Sequence, residues 1–211
     1  MFLSIHPENP QSKSIREAVE LLRIGGLIIY PTDTTYALGC DITNKKAVEA
    51  LCRLKGIRPE RAHLTCVCED IGIIGSYAIQ VTTPVFKVMK RGLPGPYTFI
   101  LKASKKIPRH FQRKKTVGIR VPSHQIPIAL AKALGHPIAS LSIPMDDREE
   151  FNTDPGLIYD RFQHSVDLLI DGGKGGMDVS TVIDCSQGED AIEIIREGSG
   201  PLDVLGLTLY E

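Results

Sequence analysis

Several features that mark other classes of protein are missing from this sequence. No stretch approaches the roughly 18 apolar residues of a membrane-spanning helix, so no membrane span is expected. Residues 1–6 do not combine a basic region with a long apolar core, so they do not predict a secretory signal. These absences favour a cytoplasmic protein.

Paired cysteine spacings are also missing. The chain has an odd number of cysteines, and no two are spaced as CxxC. The five are Cys40, Cys52, Cys66, Cys68 and Cys185. Buried, reduced thiols therefore fit this sequence better than disulfides or a zinc site, in agreement with a cytoplasmic location.

Acidic residues are absent from one long segment. The chain has 25 basic and 25 acidic side chains, yet no aspartate or glutamate lies between Asp70 and Asp146. The 75 residues between them hold 12 of the basic side chains, so this segment is strongly positive and its flanks are equally negative. Such a field favours phosphate-rich partners, whether nucleotides or nucleic acid.

The densest basic stretch lies between Lys102 and Arg120. It predicts an RNA-binding patch, which we define as Lys105, Lys106, Lys114 and Lys115. Basic runs are also common as solvated surface without a ligand. The charge pattern alone leaves both alternatives open.

The 211 residues can bury one sizeable core, and 42% of them are apolar. Short apolar segments alternate with helical patterns, which predicts an α/β fold built on one twisted sheet. Residues 14–17 resemble a capping box, and Ser123 is a candidate cap for a later helix. The segment after Gly198 is expected to be a short, loop-like tail.

One stretch combines a buried strand with a cluster of hydroxyls. Residues 27–30 form a short apolar run between a glycine pair and Pro31, which is typical of a buried strand. Thr32, Asp33, Thr34 and Thr35 follow directly. Ligands of open α/β sheets bind at strand ends, so this turn is a candidate site. A solvated turn is the alternative.

A second candidate is Arg120, which lies in the otherwise apolar segment 117–121. A buried guanidinium requires an anionic partner. We expect a bound anionic ligand to be that partner.

Several motifs, taken together and in order, resemble the YrdC/YciO family, whose best-known members are threonylcarbamoyl-AMP synthases. The matching segments are 30–34, 38–40, 54–55, 58–59, 94–98, 118–122, 171–173, 180–184 and 195–198. The resemblance implies a single α/β domain over residues 10–200, followed by a tail over 201–211. It also implies a twisted, mostly open mixed sheet with a concave basic cleft.

Family enzymes join L-threonine, bicarbonate and ATP into threonylcarbamoyl-AMP and release pyrophosphate, in support of a transfer RNA modification. The resemblance therefore implies these three substrates together with Mg²⁺, for which no ligand set of protein side chains is identified. The reaction requires the protein to orient two anions and to neutralise developing phosphate charge.

The resemblance also implies site residues, carried over motif by motif. The residues implied for threonine are Thr34, Arg120, Ser180 and Thr181, with Ser180 and Thr181 as alternatives for one hydroxyl. The residues implied for ATP are Lys55, Arg58, Thr116, Ser142 and Arg196, of which Lys55 and Arg58 are the catalytic pair.

Two departures point to the YciO branch of the family. The Lys-x-Arg pair is one residue longer here, because Gly56 and Ile57 separate Lys55 from Arg58. The asparagine of the Ser-x-Asn pair is replaced by Pro144. These departures leave two functions open: a slow synthase, or a protein of the same fold that binds double-stranded or structured RNA without significant synthase activity.

Overall fold

A computed structural model describes residues 1–59, 61–111 and 115–207, apart from the side chain of Asp190. The strands are β1 (Phe2–Ser4), β2 (Ile28–Tyr30), β3 (Ala37–Asp41), β4 (Thr65–Val67), β5 (Ala78–Ile79), β6 (Tyr97–Ala103), β7 (Thr116–Arg120), β8 (Ile138–Ser142), β9 (Leu168–Asp171), β10 (Thr181–Asp184) and β11 (Glu193–Arg196). The α-helices are α1 (Ser12–Arg23), α2 (Lys45–Leu54), α3 (Ile74–Tyr77), α4 (Thr83–Gly92), α5 (Gln125–Leu134), α6 (Glu150–Thr153), α7 (Pro155–Phe162) and α8 (Leu202–Leu205). Short 3₁₀ turns span Ile71–Ile73 and Glu189–Ala191.

All the strands belong to one mixed sheet. The strand order is β1-β9-β2-β3-β8-β4-β7-β6-β10-β11, and β5 pairs with the far end of β6. Parallel and antiparallel pairs alternate irregularly: β4 and β7 are parallel, whereas β6 and β7 are antiparallel. The predicted α/β fold with a mixed sheet is therefore confirmed.

The two faces of the sheet are covered differently. Helices α2, α4 and α7 pack on one face, which carries the larger core cluster. Helices α1 and α5 pack together on the other face, over the half that contains β1, β9, β2, β3 and β8 and as far as Val67 of β4. The second face is left open over β4, β7, β6 and β10, and the cleft described below lies there.

Three local predictions were wrong. Helix α1 begins at Ser12, so the proposed capping box falls inside its first turns, and the side chain of Gln11 at the N-cap does not cap the helix but accepts from the amide of His6. The N-cap of α5 is His124, whose Nδ1 accepts from the amide of Ile126. The expected loop-like tail contains α8, which packs against α4 through the fully buried Leu205.

Among the described residues, no helix has both the length and the apolar character needed to cross a membrane.

Candidate active site

The cleft is formed by one face of the sheet and by the chain segments that border it. Its volume is about 270 Å³. The floor comes from β4, β7, β6 and β10, and the walls come from the threonine-rich turn after β2 (residues 32–35), from Pro59 and residues 62–64, and from the end of β8. Six of the nine predicted substrate residues line it: Thr34, Thr116, Arg120, Ser142, Ser180 and Arg196.

The floor is organised as a cross-strand row. Strand pairing places Val67 beside Arg120, Thr98 beside Val182, and Val182 beside Arg196. Phe99 pairs with Ile119, which brings Thr98 opposite Arg120. Arg120 and Arg196 therefore belong to one row, three strands and about 14 Å apart at the backbone.

Arg196 faces the cleft because of a β-bulge in strand β11. Ile183 pairs with Ile194 and Val182 pairs with Arg196, so Ile195 is an extra residue in β11. Bulges bend a strand and re-aim the following side chains. Without this extra residue, the side chain at position 196 would alternate onto the opposite face.

Arg120 has an internal partner, which corrects the expectation that a ligand supplies one. Its Nη2 donates to Asp33 Oδ1 at 2.5 Å and to Thr34 Oγ1 at 2.8 Å. The Arg120 and Asp33 side chains are only 11% and 10% exposed. The second oxygen of Asp33 accepts from the amide and the hydroxyl of Ser123.

The Arg120 guanidinium has five N–H donors, and the contacts to Asp33 and Thr34 use only Nη2. Its Nε is buried and has no hydrogen-bond partner among the described residues. A buried unpaired donor is costly, and such groups in native proteins often mark a ligand or water position. Because the Asp33 contact fixes the guanidinium, this donor is held in place before any ligand arrives.

The threonine-rich turn is ordered by its own side chains. Thr32 Oγ1 donates to the carbonyl of Thr35 at 2.7 Å and accepts from the amide of Thr34. Thr32, Thr34 and Thr35 are all buried. The turn is therefore part of the cleft wall, and the alternative of a solvated turn is wrong.

The other end of the row centres on Ser180. Arg196 donates from Nε and Nη2 to the carbonyl of Ser180, and Thr98 and Ser180 share a hydrogen bond of 3.0 Å between their hydroxyls. Partial burial, with the Arg120 charge as second cause, lowers the pKa of Arg196 below its usual value. Arg120 and Arg196 are the charged side chains among the described lining residues, so this region favours an anion.

Ser180 and Thr181 were alternatives for one hydroxyl, and the structure places them differently. Ser180 lines the cleft. Thr181 is fully buried; its hydroxyl donates to the carbonyl of Gly200 and accepts from the amides of Gly198 and Gly200. Thr181 thus secures the chain after β11, and its hydroxyl is not available to a substrate.

Lys55 and Arg58 are not among the lining residues. The Lys55 ammonium donates to the carbonyls of Ser142 and Ile143, each at 2.8 Å, and to the Ser142 hydroxyl at 3.3 Å. An ammonium has three N–H groups, so all its donors are used. Burial lowers the pKa of Lys55. Arg58 is exposed beside Pro59, which does line the cleft.

Three residues of the site had no assigned role in the sequence analysis. Asp33 was noted only as part of the turn, Thr98 lay within the matching segment 94–98, and Ser140 was given no role. Ser140 lines the cleft and accepts from the fully buried Tyr30 hydroxyl at 2.7 Å. Polar residues at alternating strand positions could have indicated Thr98 and Ser140, because alternate residues share one face.

The proposed RNA patch is only partly described. Lys105, Lys106 and Lys115 are exposed, and the Lys106 ammonium lies 4.6 Å from the centroid of the Tyr77 ring. Lys114 lies outside the described residues. The structure thus places at least three of the four lysines at the surface.

No group of three or more metal-ligating side chains occurs among the residues that the structure describes. All five cysteines are buried, and none forms a disulfide with another described residue. Burial raises the pKa of Cys68 and of Cys185 to about 12. These thiols are packing residues and stay protonated at neutral pH.

Comparison with known proteins agrees with this geometry. Residues 20–198 match the Sua5/YciO/YrdC family model, which carries the description "telomere recombination". YciO of Escherichia coli K12 is 44% identical over 201 residues, which cover 94% of this chain and 96% of that protein. The crystal structure of E. coli YciO superposes with a TM-score of 0.88, at 42% identity over 97% of this chain and 98% of that one.

Synthases of the family are more distant. A threonylcarbamoyl-AMP synthase of Halorhodospira halophila is 31% identical over 178 residues, covering 84% of this chain and 92% of that protein. The structure of Pyrococcus abyssi Sua5 complexed with L-threonine gives a TM-score of 0.84 at 27% identity. It covers 96% of this chain but 59% of that one. From its matched residues and its fold, this chain belongs to the Sua5/YciO/YrdC family.

Proposed function

We propose that this protein is a slow threonylcarbamoyl-AMP synthase-like nucleotidyltransferase that uses L-threonine, bicarbonate and MgATP. The observation that carries the proposal is the cross-strand row, which joins Arg120 and Arg196 in one cleft with the predicted substrate hydroxyls. Family membership supports it, because relatives at about 30% identity are named as synthases.

The geometry suits a reaction in which positioning does most of the work. The threonine carboxylate would lie at the Arg120 end of the row, beside the guanidinium and Thr34. The phosphates would lie between Thr116, four residues along β7 from Arg120, and Arg196 at the far end of the row. Holding two reactants in line, with fixed positive groups near the transferring phosphorus, is how proteins accelerate phosphoryl and nucleotidyl transfer. Mg²⁺ would arrive bound to the ATP phosphates and would keep several of its waters, because it dehydrates reluctantly.

The expected slowness has a structural reason. The three N–H donors of Lys55 all bond to Ser142 and Ile143. Pro144 offers neither a side-chain polar group nor an amide N–H. We interpret Lys55 as a positioning residue that acts through Ser142. A lost charged hydrogen bond costs roughly 1.5–3 kcal/mol, or about ten- to over a hundredfold in rate.

Pyrophosphate release tests the proposal. The purified protein is incubated with threonine, bicarbonate and MgATP, and each component is omitted in turn. We expect slow pyrophosphate release that requires all three, with threonylcarbamoyl-AMP identified by mass spectrometry. Arg196→Met should reduce the rate, while Arg23→Ala on the exposed surface of α1 serves as control. Absence of any threonine-dependent release under these conditions would reject the proposal.

A second candidate function is RNA binding, which the exposed lysines at positions 105, 106 and 115 favour. Replacing Lys105, Lys106, Lys114 and Lys115 by alanine should weaken binding to structured RNA and flatten its salt dependence. The matched control replaces four exposed lysines elsewhere: Lys13, Lys45, Lys46 and Lys132. Equal losses in both variants would mean that only net charge matters and that the patch is not the binding surface.

A further inference from the structure

One position in the cleft floor carries no side chain. Gly118 lies in β7 between Thr116 and Arg120, and all three residues line the cleft because alternate residues of a strand share a face. Gly118 pairs with Thr65 on one side and with Ile100 on the other. It is therefore surrounded by floor residues on the strand and across it.

The backbone does not require glycine here. Gly118 has no left-handed φ, unlike Gly25 or Gly135. Glycine inside a strand costs stability because it is entropically unfavourable and packs nothing. The conformation would accept alanine, so the absence of a side chain has to be explained by the space above the strand.

That space is a shallow recess that a methyl group would fill. A Cβ at position 118 would lie 3.3 Å from Thr65 Oγ1, 3.4 Å from the Leu64 carbonyl and 3.4 Å from Thr98 Cγ2. These contacts are tight but are not clashes with the backbone. The methyl group would rise between the residue proposed for ATP, Thr116, and the residue proposed for the amino acid, Arg120.

We infer that Gly118 keeps open the recess in which the reacting groups of the two substrates meet. This inference rests on the proposed function. The threonine-derived carbamate would enter from the Arg120 side and the α-phosphate from the Thr116 side. A carbamate oxygen forms the new bond to the α-phosphorus, and the bond to the leaving pyrophosphate oxygen breaks with its electron pair on that oxygen.

The inference predicts that Gly118→Ala leaves the binding of each ligand alone nearly unchanged but weakens the binding of both ligands together. Threonine alone and a non-hydrolysable ATP analogue alone should bind within about threefold of wild type. The Kd of threonine measured in saturating analogue should rise at least tenfold in the variant. Turnover should fall about a hundredfold, as expected for a displacement of about 1 Å at the reacting centre.

Controls separate this effect from damage to the fold. Gly75→Ala adds a methyl group where nothing lies within 4 Å, and it should leave binding and turnover unchanged. Thermal unfolding of Gly118→Ala should match wild type. If it does not, Gly118→Ala combined with Thr65→Ala removes the tightest contact and keeps the methyl group in the recess.

The outcomes are distinguishable. If a folded Gly118→Ala variant turns over and binds both ligands together as wild type does, the inference is overturned and the proposed function is left intact. Wild-type protein that binds neither threonine nor the analogue would reject both. Wild-type protein that binds both ligands without releasing pyrophosphate would reject the proposed function, and the loss of double occupancy in the variant would still support the meeting point.

Discussion

One half of the sheet is covered on both faces, and the other half carries the cleft. The strands of the two halves differ in which of their alternating side chains are buried. In the covered half, all residues of β2 and β3 are buried. In the open half, β7 alternates strictly between partly exposed and buried positions, and β10 alternates in the same way. The covered half places side chains into two cores, whereas the open half places one set in a core and leaves the other set to the cleft.

In the open half, alternate residues of one strand therefore serve either the stability of the fold or the chemistry of the cleft. Val117 and Ile119 belong to the core beneath β7, while Thr116 and Arg120 on the same strand line the cleft. A change at one set should alter folding, and a change at the other should alter binding. The predictions below test that division, from the largest expected effect to the smallest.

Arg120 does not follow this division, because its ion pair with Asp33 is expected to contribute to stability and to binding. Arg120→Ala should abolish threonine binding and cost about 3–5 kcal/mol of stability, since it leaves Asp33 buried and unpaired. The double variant Asp33→Asn, Arg120→Met should recover most of the stability without the binding. Calorimetry and denaturant unfolding measure both quantities. Restored threonine binding in the double variant would contradict the assignment.

Two isoleucines test the division directly. Ile29→Ala in the covered half should cost about 2–5 kcal/mol, because its side chain is fully buried. Ile100→Ala at the cleft floor should cost about 1 kcal/mol or less, because its side chain is partly exposed and removes less apolar surface from water. Urea unfolding gives both values. Equal costs would show that the open half is as tightly packed as the covered half.

Lys55 reaches β8, the strand at which the two halves meet. Lys55→Met should lower stability by about 1–3 kcal/mol, because two carbonyls and the Ser142 hydroxyl lose their donor. Lys46→Met on the exposed side of α2 is the control. A variant that keeps full stability but loses ATP affinity would show that Lys55 acts on the nucleotide directly.

The smallest effect concerns alkaline pH. Burial raises the pKa of Tyr30 from 10 to about 12 in the folded protein. Above pH 10 the unfolded chain therefore binds fewer protons than the folded one at this residue, so stability falls as pH rises through this window. Tyr30→Phe should reduce that slope and cost about 1 kcal/mol at pH 7 through the lost bond to Ser140. Unfolding measured between pH 9 and pH 11.5 tests it; an unchanged slope would contradict this origin.

The sequence allowed the fold class and much of the cleft to be predicted, for a physical reason. A charged residue inside an apolar strand and hydroxyls after a buried strand are expensive arrangements, and both Arg120 and the threonine-rich turn proved to be cleft residues. The family resemblance then placed Thr116, Ser142, Ser180 and Arg196, which share the cleft although they are distant along the chain.

What could not be predicted depended on tertiary pairing. Asp33 could bond to Arg120 only after the turn at the end of β2 had been placed beside β7. Lys55 became a ligand of backbone carbonyls because Ser142 and Ile143 lie within its reach, which spacing along the chain does not reveal. Helix α8 was not predicted, because a single helical turn is too short to show a hydrophobic periodicity in the sequence.

The bulge at Ile195 has a consequence for motion. Arg196 is carried by β11, a strand of four residues at the edge of the sheet, whose one neighbour among the described strands is β10. Edge elements open locally at a lower free energy than the whole domain. Amide hydrogens of β11 should therefore exchange with solvent far faster than those of β2, and a bound anion that engages Arg196 should slow that exchange. The protein can thus release or recapture one of its two cleft arginines by fraying a single strand, while the covered half of the sheet stays closed.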